Sequence, residues 1–312
     1  MLRRWLCQAD LTLRLTPLDP VLIKSGYATV DGPDMVPVQT YKNGKSVYYF
    51  PGTSLKGVLR SRIERIARTL RPGSVCIPYY EGDKQRERIP VESEKRSFGC
   101  GNRLKKANSA QAYAHSCAVC RMFGSLVFGG RFTISDAYPL DDSPPKHEQR
   151  DGVGIDRFTG GSASGALFNL VVVVGGSFEA RVQMTNFETW QLAALYFLLM
   201  DLQDEQIQIG SGRSRGLGRI KGEVTRFQLS YASPTSTLLG LFDLATDEER
   251  STYRLPRWQP CQAIAVPESS RRGIRHVHDV SDSWSSMLEP LAPSFDLFLE
   301  YQGALRSLPV TA

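Results

Sequence analysis

Cys117-Ala118-Val119-Cys120 is the tightest thiol pair in the chain. Two cysteines at this spacing can hold one metal ion from a single turn, and a structural zinc site then needs two more soft or borderline ligands. Cys100 and His115 lie just upstream and complete a Cys₃His set, with Cys76 in reserve. The competing reading is a group of free thiols in a reducing compartment. Six unevenly spaced cysteines are too few for a disulfide scaffold in 312 residues. No strand–C-x-x-C–helix context surrounds the pair, which speaks against thioredoxin-like redox chemistry. With every position given to a protein ligand, the zinc would be structural and would pin down a polar insertion.

The second chemical cluster is the run from residue 209 to 220, where Gly210, Gly212, Gly216 and Gly218 alternate with Arg213, Arg215 and Arg219. Glycines let backbone N–H groups approach phosphate closely, and guanidinium forks add bidentate contacts. The run follows a helix and leads into a strand, unlike a nucleotide-hydrolysing P-loop. Backbone-phosphate binding fits it better. Lys56 and Arg60 sit in the first turns of a helix, where free N–H groups favour phosphate. The ordinary alternative for all these cations is a solvated surface.

The charge balance agrees. Lys and Arg number 38 against 32 acids, a net charge of +6. From residue 231 onward 7 basic and 10 acidic residues give −3, so the first 230 residues carry 31 and 22, or +9. Concentrated positive charge favours a polyanion such as nucleic acid. No apolar run reaches the roughly 18–20 residues of a membrane span, and Gln8, Asp10 and Arg14 interrupt any signal-peptide core. A cytoplasmic protein is expected.

The elements that must position these groups are partly legible. Residues 11–15 alternate as a half-buried strand, and 36–38 read as a short edge strand. Asn43-Gly44 between two β-rich runs predicts a hairpin. Thr53 or Ser54 is positioned to cap a helix whose stripe is Leu55, Leu59, Ile63, Ile66 and Leu70. Residues 71–111 are polar and weakly periodic, 129–136 resume strand character, and 140–151 read as a loop. Residues 166–174 form a buried strand with 178–182 as its expected partner. A helix over 192–202 and a strand over 223–229 follow. The order predicts an α+β domain whose antiparallel sheet is covered by two helices, in the ferredoxin-like manner. Residues 231–312 are expected to be a C-terminal extension packed on this domain, of unreadable function. Trp190 and Tyr196 are expected in the core. His147, His276 and His278 carry no assigned chemistry.

These segments together resemble the RAMP superfamily (repeat-associated mysterious proteins) of CRISPR systems. Pro51-Gly52-Thr53-Ser54-Leu55-Lys56-Gly57-Val58-Leu59-Arg60 looks like its P-G-[ST]-S-[LI]-[KR]-G-x-[LIF]-R motif, and the glycine-rich run like its signature loop. Cys117-Ala118-Val119-Cys120-Arg121-Met122-Phe123-Gly124, followed by Arg131-Phe132-Thr133-Ile134-Ser135-Asp136-Ala137, is similar to two segments of type III backbone subunits. The stretch Gly154-Ile155-Asp156-Arg157-Phe158-Thr159-Gly160 leading to Gly165-Ala166-Leu167-Phe168 is similar to that beside their β-hairpin thumb.

The resemblance implies a modified RNA-recognition-motif fold with a thumb (residues 138–165) and a zinc-binding insertion (71–128) within a crRNA-binding domain of residues 1–230. It implies crRNA and target RNA as ligands, and backbone paralogues, a large subunit and a small subunit as partners. Lys56, Arg60, Arg213, Arg215, Arg219 and the four glycines would follow the crRNA backbone, with Arg157 beside them and Phe158 stacking on a base. An aspartate before the P-G-[ST]-S motif supports metal-dependent cleavage in active members; Asp34 matches it, with Asp31 second. Such a carboxylate could hold Mg²⁺ or orient a ribose 2′-OH for in-line attack. Ordinary turn chemistry at Asp31-Gly32 and Pro33-Asp34 is the alternative. A non-catalytic scaffold and a stand-alone crRNA-processing endoribonuclease are the other functional readings. The long insertion and acidic extension resemble the larger, zinc-bearing backbone proteins.

Overall fold

A computed structural model of the chain describes residues 4–26, 32–77, 99–257 and 263–306, of which 303–306 are described as backbone only. Asp31 lies outside the described residues, so the second candidate for cleavage has no structural account.

Strand β1 (Cys7–Pro17) buries Leu11, Leu13 and Leu15 on one face and turns Arg14 to solvent, extending the predicted alternation in both directions. β2 (Gln39–Lys42) and β3 (Lys45–Tyr48) form the expected hairpin. Its turn residues Asn43 and Gly44 have φ of 52° and 76°, the left-handed pair that matches strand twist. Helix α1 (Gly52–Leu70) buries Leu55, Leu59, Ile63 and Ala67, while Leu70 is exposed. Neither Thr53 nor Ser54 caps it. Pro51 takes the cap position, and the Gly52 N–H donates to Asp136 Oδ1 at 2.7 Å, so a carboxylate 84 residues away neutralises the helix start.

Among the described residues three short helices follow, α2 (Cys100–Arg103), α3 (Ser109–Ala114) and α4 (Ala118–Phe123), then the small strand pair β4 (Gly124–Ser125) and β5 (Phe128–Gly129). This part of the insertion is not a polar appendage: Leu104, Ala112, Tyr113, Val119, Met122 and Phe123 are buried in the main core. β6 (Phe132–Ile134) and β7 (Tyr138–Pro139) precede a long hairpin of β8 (Lys146–Ile155) and β9 (Ser162–Val174). β10 (Phe178–Thr185), α5 (Thr189–Gln203), β11 (Ile207–Gln208) and β12 (Arg219–Tyr231) complete this part. The rest supplies α6 (Leu241–Leu244), α7 (Asp247–Tyr253), β13 (Ser270–Arg272), β14 (Arg275–Asp279), α8 (Trp284–Leu288) and α9 (Ala292–Arg306).

The architecture is mixed α+β around an eight-stranded antiparallel sheet in the order β13-β14-β12-β1-β10-β6, with β11 on β12 and β7 on β10. β10 shows why one face is core: Phe178, Ala180, Val182 and Met184 point inward, and Glu179, Arg181 and Thr185 outward. Helices α1 and α5 cover the inner face and α9 packs on α5, where the Trp190 and Phe298 rings stack at 3.9 Å.

Two expectations, one of an element and one of a pairing, are corrected. Residues 146–151 are strand rather than loop, and β9 pairs with β8, not with β10. Gly175 and Gly176, with φ of 62° and 76°, turn the chain so that β10 joins β1 and β6 instead. Polar residues suit β8 because the hairpin projects into solvent. Its foot is anchored by Val173 against Val21 and Leu170 against Met35, while Val153, Ile155 and Leu167 near its tip are exposed. The C-terminal residues add β14 to the edge of β12, and the acidic α9 meets the basic α1, with Arg71 bonded to Asp296 at 2.8 Å and Glu300 at 3.1 Å.

Candidate functional site

Four cysteines converge between α1, α2 and α4. The Sγ atoms of Cys76, Cys100, Cys117 and Cys120 are buried and lie within 4.8 Å of one another. Cys76 Sγ stands 3.5 Å from Cys120 Sγ and 3.6 Å from Cys117 Sγ. Sulfurs held about 2.3 Å from one zinc are about 3.8 Å apart in a tetrahedron, so this set fits a structural metal such as zinc and is too open for disulfides. Hydrogen bonds from Cys117, Cys120 and Cys76 hold Cys100 well below the usual thiol range, and the same contacts push Cys120 up.

Cys76 thus stands where the sequence placed His115. Burial lowers the His115 pKa first, and Arg254, Arg103 and Arg121 lower it further; the imidazole is not part of the four-sulfur cluster. The surroundings of the cysteines come from distant elements. Arg60 donates from Nη2 to Cys120 Sγ at 3.3 Å and from Nη1 to the Gly124 carbonyl at 3.0 Å. The Cys117 N–H donates to Cys100 Sγ at 3.3 Å. From α9, the buried Gln302 accepts from the Ala118 N–H at 2.9 Å and donates to the Ser116 carbonyl, gripping the C-x-x-C turn from behind. Such outer contacts orient ligands and tune metal affinity.

The insertion is joined to the core by a buried polar network that the sequence reading missed. Tyr113 donates its hydroxyl to Glu188 Oε1 and accepts from Arg131 Nε at 2.8 Å. Arg121 Nη1 lies 3.7 Å from Glu188 Oε1, and both guanidinium groups lie over the Tyr113 ring, at 4.9 and 4.5 Å. Burial pushes the tyrosine hydroxyl up, so it stays a donor.

The predicted RNA-facing residues fall into three groups. Phe158 is wholly exposed at the tip of the β8–β9 hairpin, with Arg157 beside it. Arg213 and Arg215 form an exposed turn between Gly212 and Gly216, both left-handed, and Arg215 lies 5.5 Å from the Phe168 ring at the hairpin foot. A cavity of about 190 Å³ opens between this turn, Met35 and the hairpin, rimmed by Lys24, Arg150 and Arg215. Asp151 also lines this cavity, while Asp34, next to Met35 in the chain, is exposed, its Oδ2 accepting the Asn169 N–H of β9 at 2.8 Å. Lys56 lines a separate cavity of about 620 Å³ beside the cysteines.

Two expected phosphate ligands are otherwise engaged. Arg219 bonds Asp19 and Glu205, both at 3.2 Å, and Arg60 serves Cys120. Gly210 and Gly218 do close-packing work. A Cβ at Gly210 would lie 2.4 Å from the Leu22 carbonyl oxygen, and one at Gly218, with φ of 92°, 2.1 Å from that of Ile209. Gly216 has open space and a φ of 76°. Gly216→Ala should therefore cost only about 1 kcal/mol of backbone strain, and Gly218→Ala about 3 kcal/mol, because a backbone carbonyl must also move. Urea unfolding midpoints check this order; equal losses would contradict it.

His278 is buried with Nδ1 2.6 Å from the Pro267 carbonyl, and the His147 ring packs on Tyr48 at 5.7 Å. Among the described residues no helix is long and apolar enough to cross a membrane. No curated protein matches the chain. The family model of the RAMP superfamily matches residues 14–221, from β1 through the hairpin and the glycine-rich loop into β12. The chain, matched over more than half its length, belongs to the RAMP superfamily.

Proposed function

We propose that this protein is a crRNA-binding backbone subunit of a type III CRISPR effector complex and that Asp34 cleaves target RNA. Membership of the RAMP superfamily, which includes CRISPR-associated proteins, supports a CRISPR-related RNA-binding role. The order β12-β1-β10-β6 with two helices on one face supports a ferredoxin-like, RNA-recognition-type domain over residues 1–230, extended by 231–312. The observation that carries the reading is the foot of the projecting hairpin. There the exposed Asp34 carboxylate is bonded to β9 beside Met35, and Met35 lines a cavity shared with Lys24, Arg150, Asp151 and Arg215 of the Arg213/Arg215 turn, below a bare aromatic tip.

In this reading Arg213, Arg215, Arg157 and Lys56 neutralise RNA phosphates, and Phe158 stacks on a base. The protein works in the cytoplasm beside other effector subunits, with zinc at the cysteines. Asp34 uses one oxygen to fix itself to β9 and leaves the other for the RNA. Among the described residues the cysteines are the only group of three or more metal-type side chains. A Mg²⁺ ion at Asp34 would therefore take its remaining ligands from RNA phosphate and water, a habit of that ion, and would supply charge stabilisation at the phosphate. Alternatively, that second Asp34 oxygen would orient the ribose 2′-hydroxyl for in-line attack on the adjacent phosphorus, the 5′-oxygen of the next nucleotide leaving. The buried His278 and the packed His147 lend no support to metal-independent processing.

Asp34→Asn keeps an acceptor for the Asn169 N–H and removes the charge. In the reconstituted complex it is expected to abolish Mg²⁺-dependent target cuts while RNA binding stays intact. Unchanged cutting would make Asp34 a turn residue and the chain a scaffold.

A further inference from the structure

Arg60 lies on the basic face of α1, one turn after Lys56, and sequence alone makes both of them phosphate ligands. The structure divides them. Both line the larger cavity, but Lys56 has no ion-pair partner among the described residues. Arg60 spends its whole fork within the protein: Nε on Glu64 Oε1 at 3.1 Å, Nη1 on the Gly124 carbonyl at 3.0 Å, and Nη2 on Cys120 Sγ at 3.3 Å. All three acceptors belong to buried residues, Glu64, Cys120 and Gly124, the last opening the β4–β5 pair behind the cysteines.

A divalent ion held by four thiolates leaves the centre doubly negative and out of water, where an uncompensated charge is costly. Guanidinium is always protonated, weakly hydrated and forked, which suits it to sit against such a centre while bonding a carbonyl and a carboxylate. We propose that Arg60 is a positioning residue for the cysteine-bound metal and not an RNA ligand. It holds the Cys120 thiolate in place, offsets the charge of the centre and fixes α1 to it. The proposal rests on the reading that the four cysteines hold zinc.

The test uses the full chain loaded with zinc, a competing chelator, and a single-stranded RNA oligonucleotide at fixed salt. Arg60→Gln is expected to weaken zinc about 10–100-fold and to shift the sulfur-to-cobalt charge-transfer band after Co²⁺ substitution. Its RNA affinity should stay near that of the wild type. Arg213→Gln should do the reverse, losing RNA affinity with zinc unaltered. Arg60→Lys keeps a point charge without the fork, so it should weaken zinc several-fold; it carries the same readouts if the glutamine variant does not fold. Zinc affinity and a cobalt spectrum unchanged in either Arg60 variant would overturn the proposal. Loss of RNA affinity without loss of zinc affinity would do the same. Wild-type protein that binds no metal would instead sink the cysteine reading beneath it.

Discussion

Cys76→Ser is expected to yield protein without stoichiometric metal, whereas His115→Ala keeps it. The Cys76 sulfur lies 3.5 and 3.6 Å from those of Cys120 and Cys117, within one tetrahedral shell, and His115 is not part of the cluster. Structural zinc contributes folding free energy directly, about 10–16 kcal/mol in small peptides. Here the described core extends well beyond the cysteines, so the measurable part is set by mass action: about 4 kcal/mol at free zinc a thousand times Kd. Urea unfolding of wild-type protein with and without chelator should differ by that amount, and Cys76→Ser should resemble the chelated form in both conditions. Metal retained in Cys76→Ser, or lost in His115→Ala, would restore the histidine as ligand.

Glu188→Gln is expected to destabilise the fold by about 3–5 kcal/mol, the usual cost of removing one partner from a buried ion pair. Glu188 is 3% exposed and is the acid that serves Arg121, at 0%, directly and Arg131, at 3%, through the Tyr113 hydroxyl. Its Oε2, Arg121 Nε and Arg131 Nη2 already find no hydrogen-bond partner among the described residues. Glutamine preserves shape and an acceptor but leaves two buried cations facing each other across an aromatic ring. Denaturant midpoints measured with metal bound would register the loss. A change below about 1 kcal/mol would mean that the guanidinium groups are neutralised elsewhere.

Periodicity made β1 and α1 legible, because each buries a regular stripe, α5 was legible as an apolar run buried nearly all round, and Asn43-Gly44 announced its hairpin through backbone chemistry alone. Long-range choices were not legible. β8 is polar because its hairpin leaves the core, so hydrophobic patterning had nothing to mark. The partner of β9 depended on where Gly175 and Gly176 sent the chain. Proximity in sequence favoured His115 over Cys76, yet α3 turns the histidine away while the end of α1 brings residue 76 back. Arg60 looked like a phosphate ligand because residue type and helix position show charge but not its counter-charge. A signal for the buried network was present in Arg121 and Arg131, two cations inside otherwise apolar segments, which ask for a buried acid.

Gln302 gives the fold a timetable. The turn between Ser116 and Ala118 is written early, but the side chain that bonds both of its backbone groups is translated 184 residues after Ala118. At ribosomal speeds of about 5–20 residues per second, that is a delay of about 10–40 s. All four cysteines have been made by residue 120, so an ion that arrives in this interval meets an open turn. Closure by α9 comes afterwards, and the order of manufacture separates loading of the centre from its sealing.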